Sequence, residues 1–160
     1  FKSSVLFRIC IILLFFSSST SVLSQGYSQE EREKEEVRVE YINYLTEQGY
    51  RPEIDSDGDV KFKKEGKIYY IMTRSNRLFW ISRELSKEDA CEKKFLLALD
   101  KVCRTFLNIT TSVYSDCSGL SISCRSWVSH PDDWKNIFIK SIESIENAQK
   151  ASYEYYSEEE

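Results

Sequence analysis

The chain has 160 residues, of which 41% are hydrophobic and 30% are charged. These values are typical of one globular domain and exclude a disordered or collagen-like chain. Lys and Arg number 22 against 26 Asp and Glu, and removing Lys2 and Arg8 with the leader described below leaves 20 against 26, a net charge of −6. Since nucleic-acid binding needs a basic surface, the composition argues against that class of protein.

The N-terminal residues have the pattern of a secretory signal. Two basic residues, Lys2 and Arg8, stand beside an apolar run over residues 9–16, and small residues lead to a predicted cleavage site before Gln25. The run is much shorter than the roughly 20 apolar residues that cross a bilayer. We therefore expect a signal peptide over residues 1–24, an exported protein that is periplasmic or secreted, and no membrane span after signal cleavage.

The first half of the mature chain predicts one helix and a three-stranded meander. Residues 29–48 are rich in charge, carry apolar residues at helical spacing and are followed by Gly49, a typical helix-ending residue. Alternating, β-branched and aromatic residues then predict three strands, over residues 60–63, 68–72 and 78–82.

The second half predicts two helices around a second hairpin. Residues 86–89 resemble a capping box and predict a helix that runs to about Arg104. Alternation over residues 109–113 and 120–124 predicts the hairpin, and Pro131 opens the last helix.

Together these elements predict a single α+β domain. We expect an antiparallel sheet of about five strands with helices packed on it, in the order αβββαββα. The domain is predicted over residues 25–152, and the acidic residues 153–160 are predicted to be a frayed tail.

Four cysteines remain after leader removal, and in an exported chain they predict two disulfides. The spacings are longer than the short Cys pairs of structural zinc sites, so no metal is predicted. Cys91 and Cys103 fall on one predicted helix, roughly 18 Å apart at 1.5 Å per residue, which is too far for a bridge. Folding the hairpin back along that helix favours the pairs Cys91–Cys117 and Cys103–Cys124.

The sequence offers no constellation typical of an enzyme. His130 is the only histidine, and because it precedes Pro131 we interpret it as a helix-entrance residue rather than a catalytic base. Residues 55–59 resemble the start of a calcium loop, but Val60 and Gly66 stand where that loop needs Gly and Glu. Gly-rich phosphate loops and the common metalloprotease and hydrolase motifs are absent from the sequence. We predict no enzyme and no cofactor.

One sheet face is the candidate binding surface. A two-residue turn at Glu65-Gly66 places Lys61, Lys63, Tyr70 and Met72 together on the face that points away from the predicted core. Since exposed apolar patches are uncommon on monomers, we favour coverage of this face by a helix or a second subunit. The alternative is an exposed patch for a partner.

Residues 49–71, with the sequence GYRPEIDSDGDVKFKKEGKIYYI, resemble the YbjN-like family of bacterial proteins, often labelled sensory transduction regulators. A looser likeness continues through residues 128–134 and the last helix. The resemblance implies a type III secretion chaperone-like fold without catalytic residues. Relatives of the chaperone type bind partner polypeptides in extended form and are often dimers. The chain departs from the pattern at residues 73–77, where an acidic loop is expected.

The sequence as a whole predicts a non-catalytic exported binding module for an unknown protein or peptide, with a homodimer as a possible assembly. The alternative is a secreted domain that binds or inhibits through a small-ligand cavity between the sheet and the helices.

Overall fold

The computed structural model describes residues 28–158. The predicted leader and residues 25–27, 159 and 160 lie outside the described residues. A compact unit begins at Arg32, and the few described residues before it form the first turn of the first helix. That turn carries a capping box, because the Glu31 N–H donates to Ser28 Oγ at 3.2 Å and the Ser28 N–H donates to Glu31 Oε2 at 2.9 Å.

Three α-helices and six strands make up the described part of the chain. The helices are α1 (Gln29–Glu47), α2 (Lys93–Thr105) and α3 (Trp134–Glu158), and a short 3₁₀ helix (Pro131–Asp133) precedes α3. The strands are β1 (Glu53–Ile54), β2 (Val60–Lys64), β3 (Lys67–Ile71), β4 (Leu78–Ser86), β5 (Ile109–Val113) and β6 (Gly119–Trp127).

All six strands form one antiparallel sheet in the order β1-β2-β3-β4-β6-β5. The α+β class is confirmed, and the sheet has one strand more than expected because the two-residue β1 pairs with β2. Pairing of β4 with β6, from Leu78↔Trp127 to Ser86↔Gly119, joins the meander to the second hairpin.

The predicted turn between β2 and β3 is confirmed. Glu65 and Gly66 both have positive φ, at 52° and 79°, which is the conformation of a type I′ turn. This turn sets the register in which Phe62 lies opposite Tyr69 and Lys61 lies opposite Tyr70.

The core lies between one face of the sheet and the three helices. Alternate strand residues such as Phe62, Phe79 and Ile122 are buried there against Phe138 and Trp134 of α3. Further side chains from the helices belong to the same cluster, among them Val37, Tyr41, Phe95, Leu99 and Val102. All three helices therefore pack on a single face of the sheet.

The predicted capping box at residues 86–89 is wrong. Ser86 is the last residue of β4 and pairs with Gly119, so its backbone belongs to the sheet. Helix α2 begins only at Lys93, after Glu92 at the N-cap, and Glu92 makes no side-chain capping hydrogen bond. Cys91 therefore lies in the preceding loop, where the Ala90 N–H donates to the Cys117 carbonyl at 3.1 Å.

One of the two predicted disulfides is present. Cys91 and Cys117 are bridged, with their Cα atoms 5.2 Å apart. The predicted Cys103–Cys124 bridge is wrong, because both residues are free thiols. Cys103 Sγ lies 3.3 Å from the Thr111 Oγ1 of β5, whereas Cys124 is buried in β6 opposite Ile109, where burial raises the pKa of its thiol.

The predicted fraying of residues 153–160 is wrong as far as Glu158, because α3 continues to that residue. The Tyr156 hydroxyl donates to Glu92 Oε2 at 2.7 Å, and its ring contacts Phe95 edge to face. Lys101 lies over the Tyr155 ring at 3.8 Å. These aromatic contacts with α2 hold the acidic segment against the domain.

A polar contact ties α3 to β3 and predicts a pH-dependent stability. Lys67 Nζ and the Tyr69 hydroxyl both donate to Glu146 Oε1, at 2.7 and 2.8 Å. The pKa of Glu146 is lowered, chiefly by the Lys67 hydrogen bond. A carboxyl group whose pKa is lowered in the folded state stabilises the protein at pH values above its unfolded-state pKa. This stabilisation is lost as the pH falls through the folded-state pKa.

We expect Glu146→Gln to reduce the free energy of unfolding by about 0.5–1 kcal/mol at neutral pH, a value discounted for partial exposure. The difference from wild type should shrink as the pH falls from neutral to about pH 2, through the lowered folded-state pKa. Urea unfolding at both pH values measures it, with the exposed Glu143→Gln on the same helix as the control. A difference that persists at the lower pH would contradict the charged interaction.

Candidate functional site

The second face of the sheet has no helix on it among residues 28–158, since the buried residues of all three helices join the core on the other face. No helix of the described part of the chain therefore provides the favoured coverage, and coverage by a second subunit stays a prediction. We call this surface the open face. It is defined by eight side chains that alternate with the core residues: Lys61, Lys63, Ile68, Tyr70, Met72, Trp80, Arg125 and Trp127.

The structure brings all four sequence-predicted residues to the open face. Lys61 lies directly opposite Tyr70, and the Met72 N–H donates to the Trp80 carbonyl at 2.9 Å. Lys63 is exposed beside Ile68, and the other predicted residues are half-buried. Lys61 Nζ also forms an ion pair with Glu53 Oε1 at 2.9 Å, which anchors the short strand β1.

The most exposed aromatic surface of the open face was missed by sequence reasoning. Arg125 lies opposite Trp80, and its guanidinium carbon is 3.8 Å from the Trp80 ring centroid, a cation–π contact. Trp127 follows on the same side of β6 and is 79% exposed. Trp80 alternates with core residues, which was a usable signal, but its contact with Arg125 exists only because β4 pairs with β6.

Two hollows meet on the open face at Tyr70 and Glu84. One, of about 250 Å³, is also lined by Ile68 and Tyr114, and the other, of about 530 Å³, extends to Lys61 and the β1 edge. Burial and then the Glu84 carboxylate raise the pKa of Tyr114 to about 12 and also raise that of Tyr70. Both phenols thus lie near the Glu84 carboxylate, and the buried Tyr114 hydroxyl has no hydrogen-bond partner among the described residues.

A third hollow, of about 390 Å³, lies beside β1 and β2 and is lined by residues that include Tyr50, Arg51 and Lys63. All three hollows are open to the surface. None of them has the position predicted by the ligand-binding alternative, between the sheet and the helices.

The calcium-like sequence of residues 55–59 is a structural turn. Asp55 Oδ1 accepts the N–H groups of Asp57 and Asp59, both at 2.9 Å. Asp59 is buried, accepts the Thr73 N–H at 2.9 Å and pairs with Arg74 at 3.1 Å. These carboxylates are thus engaged within the protein, and residues 28–158 contain no group of three metal-ligating side chains.

His130 lies at the helix entrance, as predicted. Its backbone N–H donates to Asp133 Oδ2 at 2.8 Å, and Pro131 begins the 3₁₀ helix that leads into α3. Among the helices of residues 28–158, none is both long and apolar enough to cross a bilayer.

Comparison with known proteins supports the fold. No family model matches the sequence, and no curated protein matches it significantly. A crystal structure of an uncharacterized protein from Methanothermobacter thermautotrophicus is similar, with a TM-score of 0.55 and 13% identity over 77% of this chain and 98% of that one.

A second similar structure is that of YbjN from E. coli, described as "a putative transcription regulator". Its TM-score is 0.55 and its identity 11%, over 69% of this chain and 86% of that one. This likeness agrees with the fold that the resemblance in residues 49–71 implied. The chain therefore has a YbjN-like fold.

Proposed function

We propose that the protein is an exported, non-catalytic binding module that recognises a segment of a partner protein through the open face. The observation that carries this proposal is a sheet face with aromatic and basic side chains and no helix of the described residues upon it. Aromatic residues, Met and Arg are enriched where protein interfaces are fully buried, which favours a protein partner.

The charges of the open face indicate the chemistry of the partner. The mature chain is acidic overall, yet Lys61, Lys63 and Arg125 lie on this face around Tyr70 and Trp80, together with the carboxylates of Glu84 and of Glu53, which pairs with Lys61. A segment with both apolar and acidic side chains matches that surface. The description of YbjN as a transcription regulator concerns that protein, and the net charge of this chain favours a protein partner over DNA.

Export is supported by the leader pattern of residues 1–24 and by the Cys91–Cys117 disulfide, since such bridges persist in oxidising compartments. We expect the chain, produced with its own N-terminus in a secreting host, to be recovered outside the cytoplasm with Gln25 as its first residue. N-terminal sequencing and intact mass measure this. Recovery of the uncleaved chain in the cytoplasm with all its thiols free would contradict it.

Peptide selection tests the binding role. A random peptide library selected on the immobilised protein should yield peptides that carry apolar and acidic residues and bind with micromolar dissociation constants. We expect Tyr70→Ala with Met72→Ala to weaken these peptides by about tenfold or more, since each removed contact of an interface core contributes about 1 kcal/mol or more.

The matched control is Val39→Ala with Ile139→Ala, which trims two exposed apolar side chains on the helical side of the molecule. It should leave peptide affinity unchanged, and thermal melting should show that both double variants are folded. Selection that yields no peptides, or peptides that bind the open-face variant as tightly as the wild type, would reject the open face as the binding surface.

A further inference from the structure

Acidic side chains gather at one part of the open face. Glu84 lies on this face because it alternates along β4 with Leu85, which is buried in the core. The larger of the two hollows that meet there is lined by five charged residues, of which all but the last are acidic: Glu53, Asp55, Asp57, Glu84 and Lys61. Lys61 is already paired with Glu53. The charge around this hollow is therefore negative, which favours a cationic ligand.

The Glu84 carboxylate has no partner of opposite charge among the described residues. It is exposed, and no Lys or Arg of residues 28–158 forms an ion pair with it. By contrast, Glu146 of α3 is paired with Lys67 at 2.7 Å, and Glu53 is paired with Lys61 at 2.9 Å. The negative charge of Glu84 is therefore available to a ligand from outside the domain.

Two tyrosine rings line the same hollow as this carboxylate. Tyr70 and Tyr114 border the smaller hollow, of about 250 Å³, together with Glu84 and the apolar side chain of Ile68. No Lys or Arg of residues 28–158 lies over either tyrosine ring. The Tyr114 hydroxyl is also buried without a hydrogen-bond partner among those residues. The hollow therefore combines an unpaired negative charge with aromatic rings that no cation occupies.

An organic cation fits this hollow better than a metal ion does. A metal ion needs several ligating side chains at once, and no three His, Cys, Asp or Glu side chains of residues 28–158 lie close enough together to hold one. Aromatic rings, in contrast, attract ammonium and guanidinium groups, and a neighbouring carboxylate accepts charge-assisted hydrogen bonds from them. The side chains of Lys and Arg also have an apolar stem, which can pack on Ile68.

We propose that the hollow formed by Tyr70, Glu84 and Tyr114 binds a Lys or Arg side chain of the partner segment. This inference rests on the proposed function and extends it. The acidic side chains of the segment contact Arg125 and Lys63, and one basic side chain enters the hollow at Glu84. Because opposite charges then lie at separate places on one face, the segment binds in one direction and in one register.

Single amino-acid derivatives test the hollow without any peptide. Nα-acetyl-lysine methylamide and the corresponding arginine derivative should bind with millimolar dissociation constants and shift the backbone amide NMR signals of Ile68, Tyr70, Glu84 and Tyr114. The norleucine derivative has the same apolar stem as the lysine derivative but lacks the ammonium group, so it should bind at least about tenfold more weakly. Glu84→Gln removes the charge and keeps the shape of the side chain, and it should weaken the lysine derivative by about fivefold or more.

Glu143→Gln is the matched control, because it removes one exposed carboxylate from the helical side of the molecule. It should leave the affinity for the lysine derivative unchanged, and both variants should keep the melting profile of the wild type. Tyr70→Leu should weaken the lysine derivative by about twofold or more, since one ring is lost. The absence of saturable shifts at the hollow, equally tight binding of the norleucine derivative, or an unchanged affinity in Glu84→Gln would overturn the proposal.

The outcomes separate this inference from the proposed function. Selected peptides that depend on Tyr70 and Met72 but bind Glu84→Gln as tightly as the wild type would keep the open face as the binding surface and reject the hollow as the site of a basic side chain. Binding of the lysine derivative without any selected peptide would keep the hollow as a cation site and reject the peptide-binding role.

Discussion

Replacing Trp134 by alanine should lower the free energy of unfolding by about 3–5 kcal/mol, a large share of the roughly 5–15 kcal/mol that stabilises a small domain. The Trp134 ring is 2% exposed, stacks on Phe79, meets Tyr41 and Tyr44 edge to face, and donates its Nε1 hydrogen to Glu40 at 2.9 Å. Its removal leaves a cavity at the point where α1, α3 and β4 meet. The loss of stability therefore exceeds the free energy of transferring one side chain from the core to water.

Chemical denaturation of the purified chain measures this loss. Trp127→Ala is the matched control, because Trp127 is 79% exposed on the open face and its removal should cost within about 0.5 kcal/mol. Equal losses for the two tryptophans, or a loss below about 1 kcal/mol for Trp134→Ala, would contradict the core described here.

Removing the disulfide has the second largest expected effect. Cys91→Ser with Cys117→Ser should lower the free energy of unfolding by about 2–4 kcal/mol, since the bridge closes a loop of 26 residues and restricts the unfolded chain. A reductant should have a similar effect on the wild type. The bridge anchors the start of α2 to the β5–β6 turn, so hydrogen exchange there should quicken in the variant.

Cys103→Ser is the control for the disulfide variant, because this free thiol has the hydroxyl of Thr111 as its polar contact. It should change the stability by less than about 1 kcal/mol. Mass spectrometry of a non-reduced digest should show the Cys91–Cys117 peptide and alkylated Cys103 and Cys124. A Cys103–Cys124 peptide would contradict the structure.

The β2–β3 hairpin could be predicted from local sequence alone. Gly66 accepts a positive φ without strain, so the two-residue turn and its register followed from the turn residues and the alternation beside them. The positions of Lys61, Lys63, Tyr70 and Met72 on one face were predictable for the same reason.

Helix α2 and the tail show where local reasoning fails. The signal at residues 86–89 has the composition of a helix start, but the β4–β6 ladder extends to Ser86 and uses its backbone. The segment from Tyr153 is acidic, as frayed tails are, yet Tyr155 and Tyr156 pack on α2. In both cases contacts with distant residues outweigh the local preference.

The sequence by itself determined the types of the three helices and of five strands, and the β2–β3 register, because each depends on periodicity and turn chemistry between near neighbours in the chain. It also predicted the Cys91–Cys117 bridge, from the number of cysteines and the way the second hairpin folds back along the helix. Only the tertiary structure decided that β4 pairs with β6, that Arg125 covers Trp80, that Cys103 and Cys124 face different neighbours, and that all three described helices share one face of the sheet. These features depend on contacts between residues that are distant in sequence. Such contacts are selected together by the total free energy of the fold, so no short segment of the sequence carries a pattern that predicts them.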